Sequence, residues 1–312
     1  MSRHELELKG VLVPALTPFE QDQRPNVGAF VKHCRWLLQQ GADGLAVFGT
    51  TSEANSLSCD ERIVLLEVLI DSGVPASRIM PGTGTCALTD SVRLTRHAVE
   101  HACAGVLMLP PFYYKGVSDE GLFAAYSHVI EQVGDDRLRI YLYHIPPMSQ
   151  IGLSPALIGR LIKDYPSVVV GLKDSGGDWA HTAFLLKEFP QLSIFPGSES
   201  FLLAGLRHGS AGCITATGNV NPAGIRRVFE RWREQDADEL QAQITRIRKV
   251  IQSYAMIPAL KTVVADHNQD PDWLRLRPPL VPLDKATQNK LLTELDELGF
   301  NMADNGKVVN VA

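Results

Sequence analysis

The sequence predicts an α/β fold, a (β/α)8 TIM barrel with a C-terminal helical extension. Eight short apolar runs alternate with longer stretches of helical spacing over roughly the first two thirds of the 312 residues. Runs that are apolar throughout are typical of parallel strands buried on both faces. Eight βα units favour one closed barrel, since an open doubly wound sheet more often has about five or six strands. The predicted strands are Val11–Leu16, Gly44–Phe48, Arg78–Pro81, Gly105–Leu109, Leu138–His144, Val168–Lys173, Leu192–Pro196 and Ala211–Thr215.

The helices are predicted from apolar spacing and from capping residues. Within Asp60–Ile70 the apolar residues recur at steps of three and four, which is the period of one helix face. Ser58 is the expected N-cap of this helix and Gly73 its expected end. Ser154 followed by Pro155 begins another helix, because proline suits the first helical turn.

Only helical patterns follow the eighth predicted strand. The first of these helices closes the eighth βα unit, and the others form the extension. We therefore expect a barrel over residues 1–236 and an extension over residues 237–312. The predicted helices are Asn221–Gln235, Asp238–Ser253, Ile257–Asp266 and Lys285–Leu298, with a Pro-rich link at Arg277–Pro282.

Composition excludes several classes of protein. The chain has 30 Lys and Arg against 35 Asp and Glu, a net charge of −5 that does not favour nucleic-acid binding. A hydrophobic content of 45% excludes a disordered chain. Five cysteines without a CxxC pair indicate reduced thiols and a cytoplasmic protein. The polar segment Met1–Gly10 lacks a signal-peptide core, and no apolar run is long enough to span a membrane.

The second predicted strand runs into a polar segment with the sequence Gly49-Thr50-Thr51. In a (β/α)8 barrel, catalytic side chains lie at the C-terminal ends of the strands. Two hydroxyls and the backbone N–H groups beside a glycine can cradle a carboxylate. The alternative is a polar turn that caps the following helix.

Tyr143 and Lys173 lie at the ends of the fifth and sixth predicted strands. Of the eleven lysines, only Lys173 ends a predicted strand in this way. A buried lysine is costly unless it is paired or neutral, and a neutral amine attacks carbonyls to form a Schiff base. The two residues are one βα unit apart, so their side chains should meet as a nucleophile beside a proton relay. The alternatives are a core tyrosine and a lysine paired with Asp174.

Six short motifs occur in order between about residues 10 and 300: Pro14-Ala15-Leu16-Thr17-Pro18-Phe19, Gly49-Thr50-Thr51-Ser52-Glu53, Pro110-Pro111-Phe112-Tyr113-Tyr114, Tyr143-His144-Ile145-Pro146, Gly171-Leu172-Lys173-Asp174 and Gly212-Cys213-Ile214-Thr215. In these motifs the chain resembles the dihydrodipicolinate synthase / N-acetylneuraminate lyase family. Each motif alone is weak, and their order and spacing carry the resemblance.

The resemblance implies a class I aldolase that needs neither a metal nor an organic cofactor. Lys173 would form a Schiff base with a 2-oxo acid, usually pyruvate, and Tyr143 would shuttle protons. Thr50 or Tyr114 would complete the proton relay. In the synthase branch a tyrosine reaches across from a neighbouring subunit, and Tyr114 matches it best, with Tyr113 as the alternative.

The resemblance also implies how substrate is held and how the chain assembles. Thr50, Thr51 and the adjacent backbone at Gly49 would bind the carboxylate of the oxo acid. The backbone at Ile214 would face the substrate. The usual assembly is a homotetramer, built as a dimer of dimers.

Several positions depart from the synthase pattern. Met148 stands where synthases usually carry an arginine that pairs with the carboxylate of the aldehyde, and methionine cannot make that contact. Met148 and Ser149 look closer to the lyase branch, and Glu199 would bind substrate hydroxyls there. Ser52 replaces a usual glycine. His144 replaces a common asparagine and is expected to point away from the face of Tyr143.

We therefore expect a pyruvate-dependent class I aldolase or lyase that acts with an unidentified aldehyde. One alternative is 4-hydroxy-tetrahydrodipicolinate synthase activity, which condenses pyruvate with aspartate semialdehyde. A second is dehydration of a 2-oxo sugar acid by the same lysine chemistry. A third, of another class, is a catalytically inactive barrel that binds a 2-oxo acid.

Two other motifs point to different chemistry. His97-Ala98-Val99-Glu100-His101 matches the H-x-x-E-H zinc pattern, but Glu100 is expected on a solvated flank and no third ligand follows, so surface histidines are favoured. Gly82-Thr83-Gly84-Thr85-Cys86-Ala87 resembles a dinucleotide fingerprint. The next predicted strand ends without the acidic residue that such a site needs, so a tight turn is favoured.

Overall fold

The computed structural model describes residues 8–302. Most of the polar segment predicted at Met1–Gly10, and the last ten residues of the predicted extension, lie outside this range. The strands are β1 Gly10–Val13, β2 Gly44–Leu45, β3 Val106–Met108, β4 Ile140–His144, β5 Val169–Asp174, β6 Ser193–Pro196 and β7 Gly212–Ile214. The helices are α1 Val27–Gln39, α2 Cys59–Asp71, α3 Leu88–Glu100, α4 Asp119–Val133, α5 Pro146–Ser149, α6 Pro155–Asp164, α7 Trp179–Glu188, α8 Leu202–Arg207, α9 Pro222–Arg231, α10 Ala237–Gln252, α11 Met256–Asn268 and α12 Lys285–Glu297.

All strand pairs are parallel and occur in two ladders. The first has the order β2-β1-β7 and the second the order β3-β4-β5-β6. The two ladders together account for seven of the eight predicted strands. Parallel neighbours in chain order, each followed by a helix, are the connectivity of a (β/α)8 barrel.

The third predicted strand, Arg78–Pro81, is shifted along the chain by one residue and forms no ladder. Arg78 ends a short 3-10 turn instead of beginning a strand. Ile79 pairs singly with β2, and Gly82 pairs singly with β3, both in parallel. Residues 79–82 therefore bridge the two ladders as the eighth strand position of the barrel.

Hydrogen bonds hold these residues on both sides, including those from the Gly82 N–H to the Val47 carbonyl at 2.8 Å and from the Ala104 N–H to the Ile79 carbonyl at 3.0 Å. Met80 N–H donates to the Leu45 carbonyl at 2.8 Å, and Leu107 N–H donates to the Pro81 carbonyl at 2.9 Å. Proline has no N–H of its own, so the pairing at this position cannot continue as a regular ladder. The prediction of a full strand here was wrong in extent, while its place in the barrel is as expected.

The remaining gap, between β6 and β7, is closed in the same way. Ala211 N–H donates to the Ile194 carbonyl at 2.9 Å. Inside the barrel, Tyr141 on β4 lies opposite Gly171 on β5, where a Cβ atom would lie 2.2 Å from the tyrosine ring. Glycine therefore makes room for that ring. The interior cluster includes residues from all eight positions: Leu12, Ala46, Met80, Leu107, Tyr141, Tyr143, Val170, Phe195 and Ile214.

The predicted helix signals are confirmed. Ser58 caps α2 in a reciprocal capping box with Glu61, and Ser154 caps α6, in which Pro155 is the first residue. The last four predicted helices correspond to α9–α12 within a few residues. The boundary between barrel and extension at residue 236 remains a prediction. Among residues 8–302, the helices are all too short or too polar to cross a lipid bilayer.

A buried ion pair joins α11 to the loop after β2. Lys261 is 0% exposed, and its Nζ lies 2.5 Å from Glu53 Oε1 and 2.7 Å from the Arg275 carbonyl. Burial lowers the pKa of Lys261 to about 8, while the Glu53 carboxylate acts to raise it. Glu53 has a φ of 56°, in the left-handed region that residues with a Cβ rarely adopt. The ion pair therefore holds the loop in a strained conformation.

A second buried contact joins α1 to the ends of β1 and β7. His33 Nε2 donates to Asn219 Oδ1 at 2.9 Å, and the same oxygen accepts the N–H of Leu16 at 2.9 Å. Asn219 Nδ2 in turn donates to the Pro14 carbonyl at 3.0 Å. Burial lowers the pKa of His33 to about 4, so the imidazole is neutral at pH 7.

We expect Lys261→Met to lower the free energy of unfolding by about 3–5 kcal/mol at pH 7, because it leaves the Glu53 carboxylate buried without a cation. Urea unfolding measures this loss. Lys290→Met is the matched control, since it removes an exposed lysine 3.8 Å from Glu294 and should cost less than about 1 kcal/mol. Equal losses in the two variants would contradict a role for the buried pair.

We expect acid to destabilise the chain through His33. Below pH 6.5 the unfolded state binds a proton on this residue, whereas the folded state resists protonation down to about pH 4. Between these pH values the free energy of unfolding of the wild type should fall by up to about 3 kcal/mol more than that of His33→Gln. Denaturant unfolding across this range measures the difference, with His128→Gln, which removes an exposed histidine, as control. Parallel curves of unfolding free energy against pH for the wild type and His33→Gln would contradict the prediction.

Candidate active site

Lys173 and Tyr143 meet at the C-terminal ends of β5 and β4. The two residues are paired in the ladder register, and each is only 4% exposed. Lys173 Nζ donates to Tyr143 Oη at 3.2 Å and lies 4.3 Å from the centroid of the tyrosine ring. The predicted juxtaposition of a buried amine and a phenol is present.

Thr50 extends this contact into a chain of three polar groups. Its Oγ1 lies 3.3 Å from Tyr143 Oη, so a proton can pass between the amine, the phenol and the hydroxyl. The loop turns tightly here, because the Gly49 carbonyl accepts the N–H groups of both Ser52 and Ala54 at 3.2 Å. Thr51 is buried in the same turn.

A small pocket opens beside these hydroxyls. Its lining combines the polar Thr50, Asn55 and Tyr143 with apolar and glycine positions: Phe48, Gly49, Ala54, Gly82, Gly84, Leu107 and Leu109. A wider cleft is lined by Val169 and Ser193, the first residues of β5 and β6. That cleft therefore lies at the opposite end of the barrel from Lys173, where catalytic residues of this fold are not found.

The close packing of the pocket wall explains the glycine motif at residues 82–87. A Cβ atom on Gly82 would lie 2.1 Å from the Phe48 carbonyl oxygen, and one on Gly84 would lie 2.2 Å from the Leu109 carbonyl oxygen. Both glycines are therefore required by contact between neighbouring strand ends. This packing accounts for the resemblance to a dinucleotide fingerprint.

Phe195 and Ile214 lie on the side of Lys173 that faces away from Tyr143. Phe195 on β6 is paired with Lys173 in the ladder, and Ile214 ends β7. Both are fully buried and belong to the interior cluster that contains Tyr143. The backbone at Ile214 is thus at the same end of the barrel as the amine, as the resemblance implies.

Asp174 does not pair with Lys173. Its carboxylate accepts hydrogen bonds from Thr182 Oγ1 at 2.6 Å and from His181 Nδ1 at 3.1 Å. The ring of His144 stacks on that of His181 with centroids 4.6 Å apart. His144 therefore points away from Tyr143, as predicted, and burial lowers its pKa.

Ser149 does not present its hydroxyl to the pocket, contrary to expectation. Its Oγ donates to the carbonyls of Ile145 and Ile151 and also accepts the Ile151 N–H at 3.1 Å. These bonds within the turn around α5 use the hydroxyl locally. Met148 in the same helix is 67% exposed.

Glu199 is also engaged within the chain, which does not support its predicted role in binding substrate hydroxyls. The carboxylate is buried and accepts from Thr215 Oγ1 and Thr217 Oγ1. Arg248 Nη1 on α10 lies 2.7 Å from it. These partners lie in two other segments, the turn after β7 and α10, so the sequence around Glu199 carries no signal of them.

Tyr114 lies outside the chain of polar groups that contains Tyr143. It is 75% exposed, and its ring contacts that of Tyr113 edge to face with centroids 5.3 Å apart. The role of Tyr114 in the proton relay therefore stays a prediction.

The sequence prediction missed Lys261 and Glu53. The signal for them in the sequence is a lysine inside the run Ile257–Ala265, which is apolar apart from Lys261 and Thr262 and is buried from Pro258 onward. Their ion pair supports the loop that carries Thr50 and Thr51.

The comparisons with known proteins agree with this geometry. The model of the dihydrodipicolinate synthetase family matches residues 7–298. An uncharacterized DapA-like lyase of Chloroflexus aurantiacus is 34% identical over 279 residues, which cover 89% of this chain and 92% of the relative.

Two solved structures are similar over almost their whole length. A crystal structure of dihydrodipicolinate synthase from Agrobacterium tumefaciens has a TM-score of 0.86 and 32% identity, and covers 93% of this chain and 99% of its own. A 2-keto-3-deoxygluconate aldolase of Sulfolobus solfataricus has a TM-score of 0.83 at 22% identity, with coverages of 93% and 96%, and shares the fold. The chain belongs to the dihydrodipicolinate synthetase family.

Proposed function

We propose that this chain is a class I aldolase or lyase that forms a Schiff base between Lys173 and a 2-oxo acid, usually pyruvate. The observation that carries the proposal is the buried contact of 3.2 Å between Lys173 Nζ and Tyr143 Oη at the ends of two barrel strands. A phenol at this distance can take a proton from an amine or from a nitrogen-bound intermediate and return it.

The proposed reaction begins at the carbonyl carbon of the oxo acid. The neutral amine of Lys173 attacks C2, protons reach the former carbonyl oxygen through Tyr143 and Thr50, and water leaves. The resulting protonated imine withdraws electrons, so a proton can leave C3 and an enamine forms. The enamine carbon then bonds to the carbonyl carbon of an aldehyde, and water hydrolyses the imine to release product and restore the amine. Cleavage is the same sequence in reverse.

The carboxylate of the oxo acid is assigned to Thr51, Thr50 and the backbone beginning at Gly49. These residues form the tight turn beside the pocket, and hydroxyl and N–H groups suit an anion. Ile214 would face the acid from the other side. The chemistry needs no resident metal or organic cofactor, because the protonated imine is the electron sink.

We further propose that the chain works as a cytoplasmic homotetramer. Tyr113, Tyr114 and Val117 are exposed in the segment before α4, and Met148 is exposed in α5. Large apolar side chains exposed together are typical of a surface that another subunit covers. Sedimentation velocity measures the assembly directly, and a monomer at micromolar concentration would count against the proposal.

We expect borohydride to trap pyruvate on Lys173. The wild type incubated with pyruvate and borohydride should gain the mass of pyruvate less water plus two hydrogens, on the peptide that contains Lys173. Lys173→Ala should gain nothing, and Lys163→Ala, which removes an exposed lysine, should react as the wild type does. Tyr143→Phe should retain the adduct but form it about 10²–10⁴-fold more slowly, because the relay is interrupted. Peptide mass spectrometry measures all four.

Two negative outcomes of the trapping experiment would lead to different conclusions. An adduct only with larger 2-oxo acids would keep the lysine chemistry and change the substrate. No adduct with any 2-oxo acid, in a chain that still binds them, would favour the inactive binding barrel over the enzyme.

The second candidate function is the condensation of pyruvate with aspartate semialdehyde. It is favoured by similarity to the dihydrodipicolinate synthase of Agrobacterium tumefaciens. It is disfavoured by Met148, because an exposed thioether cannot bind the carboxylate of the aldehyde. Dehydration of a 2-oxo sugar acid would use the same lysine and is a further alternative.

We expect Met148→Arg to improve this condensation at least about tenfold in kcat/KM for aspartate semialdehyde, which corresponds to about 1.4 kcal/mol of added binding. Met148→Gln, which adds polarity without charge, is the control and should change little. The cyclic product can be followed by mass spectrometry. A wild type that is already as fast as Met148→Arg would establish the synthase activity and remove the argument from Met148.

A further inference from the structure

Two groups of histidine and carboxylate side chains within residues 8–302 bring three ligand atoms within 4.8 Å of one another. One contains His144, Asp174 and His181, and the other contains Glu67, His97 and His101. Neither group takes part in the proposed reaction. The hydrogen bonds of the imidazoles indicate which ring nitrogen carries a proton. This distinguishes the two groups as possible metal sites.

The group next to the active site is unsuited to an ion. His144 Nδ1 accepts the N–H of Leu153 at 3.1 Å, so the proton of the neutral ring is on Nε2 and no lone pair is left for a metal. Asp174 already accepts from Thr182 and His181. This group is a closed hydrogen-bond network.

In the group on the outer helices, His101 has the opposite arrangement. His97 and His101 are four residues apart, at the C-terminal end of α3, and therefore lie on one helix face. His101 Nδ1 lies 2.9 Å from the backbone carbonyl of His97, which can only accept. Nδ1 therefore carries the proton, and the lone pair of His101 is on Nε2. This is the tautomer that metal-binding histidines usually show.

Glu67 on α2 supplies a third ligand from the neighbouring helix. Its Oε1 lies 3.0 Å from His97 Nε2, and the two imidazole centroids are 4.2 Å apart. Two ligand atoms bound to one tetrahedral zinc ion at 2.0–2.1 Å lie about 3.3 Å apart. The spacing between Glu67 and His97 is thus within a few tenths of an ångström of that required, and the ligand atom of His101 lies within 4.8 Å of both. All three residues are partly exposed, so an ion can reach them.

We propose that Glu67, His97 and His101 form a zinc site that clamps α2 to α3 on the outside of the barrel. Two imidazoles and a carboxylate are a ligand set that suits zinc, with water in the fourth position. On binding, the ion takes the place of the proton between His97 Nε2 and Glu67, and the neutral His97 ring then carries its one proton on Nδ1. The position also favours a cation, because the C-terminal end of α3 carries partial negative charge.

The site differs from the one that the H-x-x-E-H pattern would imply. In that pattern Glu100 accompanies the two histidines, whereas here the carboxylate comes from Glu67, 30 residues away from His97. The two assignments make opposite predictions for the two glutamates. The site is independent of the proposed aldolase function, since it lies on the outer helices rather than at the strand ends.

The test is equilibrium dialysis of the untagged full chain against buffered zinc, with bound metal measured by mass spectrometry. We expect His101→Gln to weaken zinc binding at least about tenfold, because even partners behind the ligands typically contribute that much. Glu67→Gln should also weaken it. Glu100→Gln and His128→Gln, which change a neighbouring carboxylate and an exposed histidine, should bind as the wild type does.

Thermal unfolding with and without zinc supplies a second readout. Zinc should raise the Tm of the wild type and of the two controls but not that of His101→Gln, because an ion that binds only the folded state stabilises it. Circular dichroism without metal shows whether each variant is folded. Unchanged zinc binding in folded His101→Gln, loss of binding in Glu100→Gln alone, or no binding by the wild type at micromolar free zinc would each overturn the proposal.

Discussion

The constraint on which the site depends is the burial of an amine at the end of β5. Lys173 is almost fully buried, and its Nζ faces the phenol of Tyr143. A phenol in contact with an amine can take a proton from it and return it, which nucleophilic attack on a carbonyl requires. The barrel holds this arrangement because β4 and β5 are in register, so that the two side chains lie side by side rather than on alternate faces.

The chain buries a second lysine, Lys261, whose partner differs chemically from that of Lys173. Lys261 faces the carboxylate of Glu53, whereas Lys173 faces a phenol with the Thr50 hydroxyl beyond it. A carboxylate partner stabilises the charged ammonium, so Lys261 is suited to holding structure together. A partner that can both donate and accept a proton suits Lys173 to chemistry. The two roles are connected, because the ion pair of Lys261 braces the loop that carries Thr50.

The site has one part that would hold the 2-oxo acid and another that would hold the aldehyde. The chain itself supplies more of the first part than of the second. The half that would hold a 2-oxo acid is built from buried residues on the barrel strands and the loop after β2. On the other half, Ser149 and Glu199 are used within the chain, and Met148 and Tyr114 are exposed. Family membership therefore supports the lysine chemistry more strongly than it supports any particular aldehyde. The partner substrate depends on side chains that differ from the synthase pattern, such as Met148.

The sequence by itself determined the barrel, the caps of α2 and α6, and the meeting of Lys173 with Tyr143. Each of these follows from local periodicity or from the alternation of side chains along adjacent strands, which the printed sequence contains. It also predicted a strand at the third position of the barrel. It did not predict the shift of that strand by one residue or the interruption of its pairing at Pro81. Only the tertiary structure decided which distant side chains meet: Lys261 with Glu53, Arg248 with Glu199, and Glu67 with His97. The physical reason is that such contacts join segments remote in sequence, so their partners depend on how helices pack on the barrel and leave no repeating pattern in the chain.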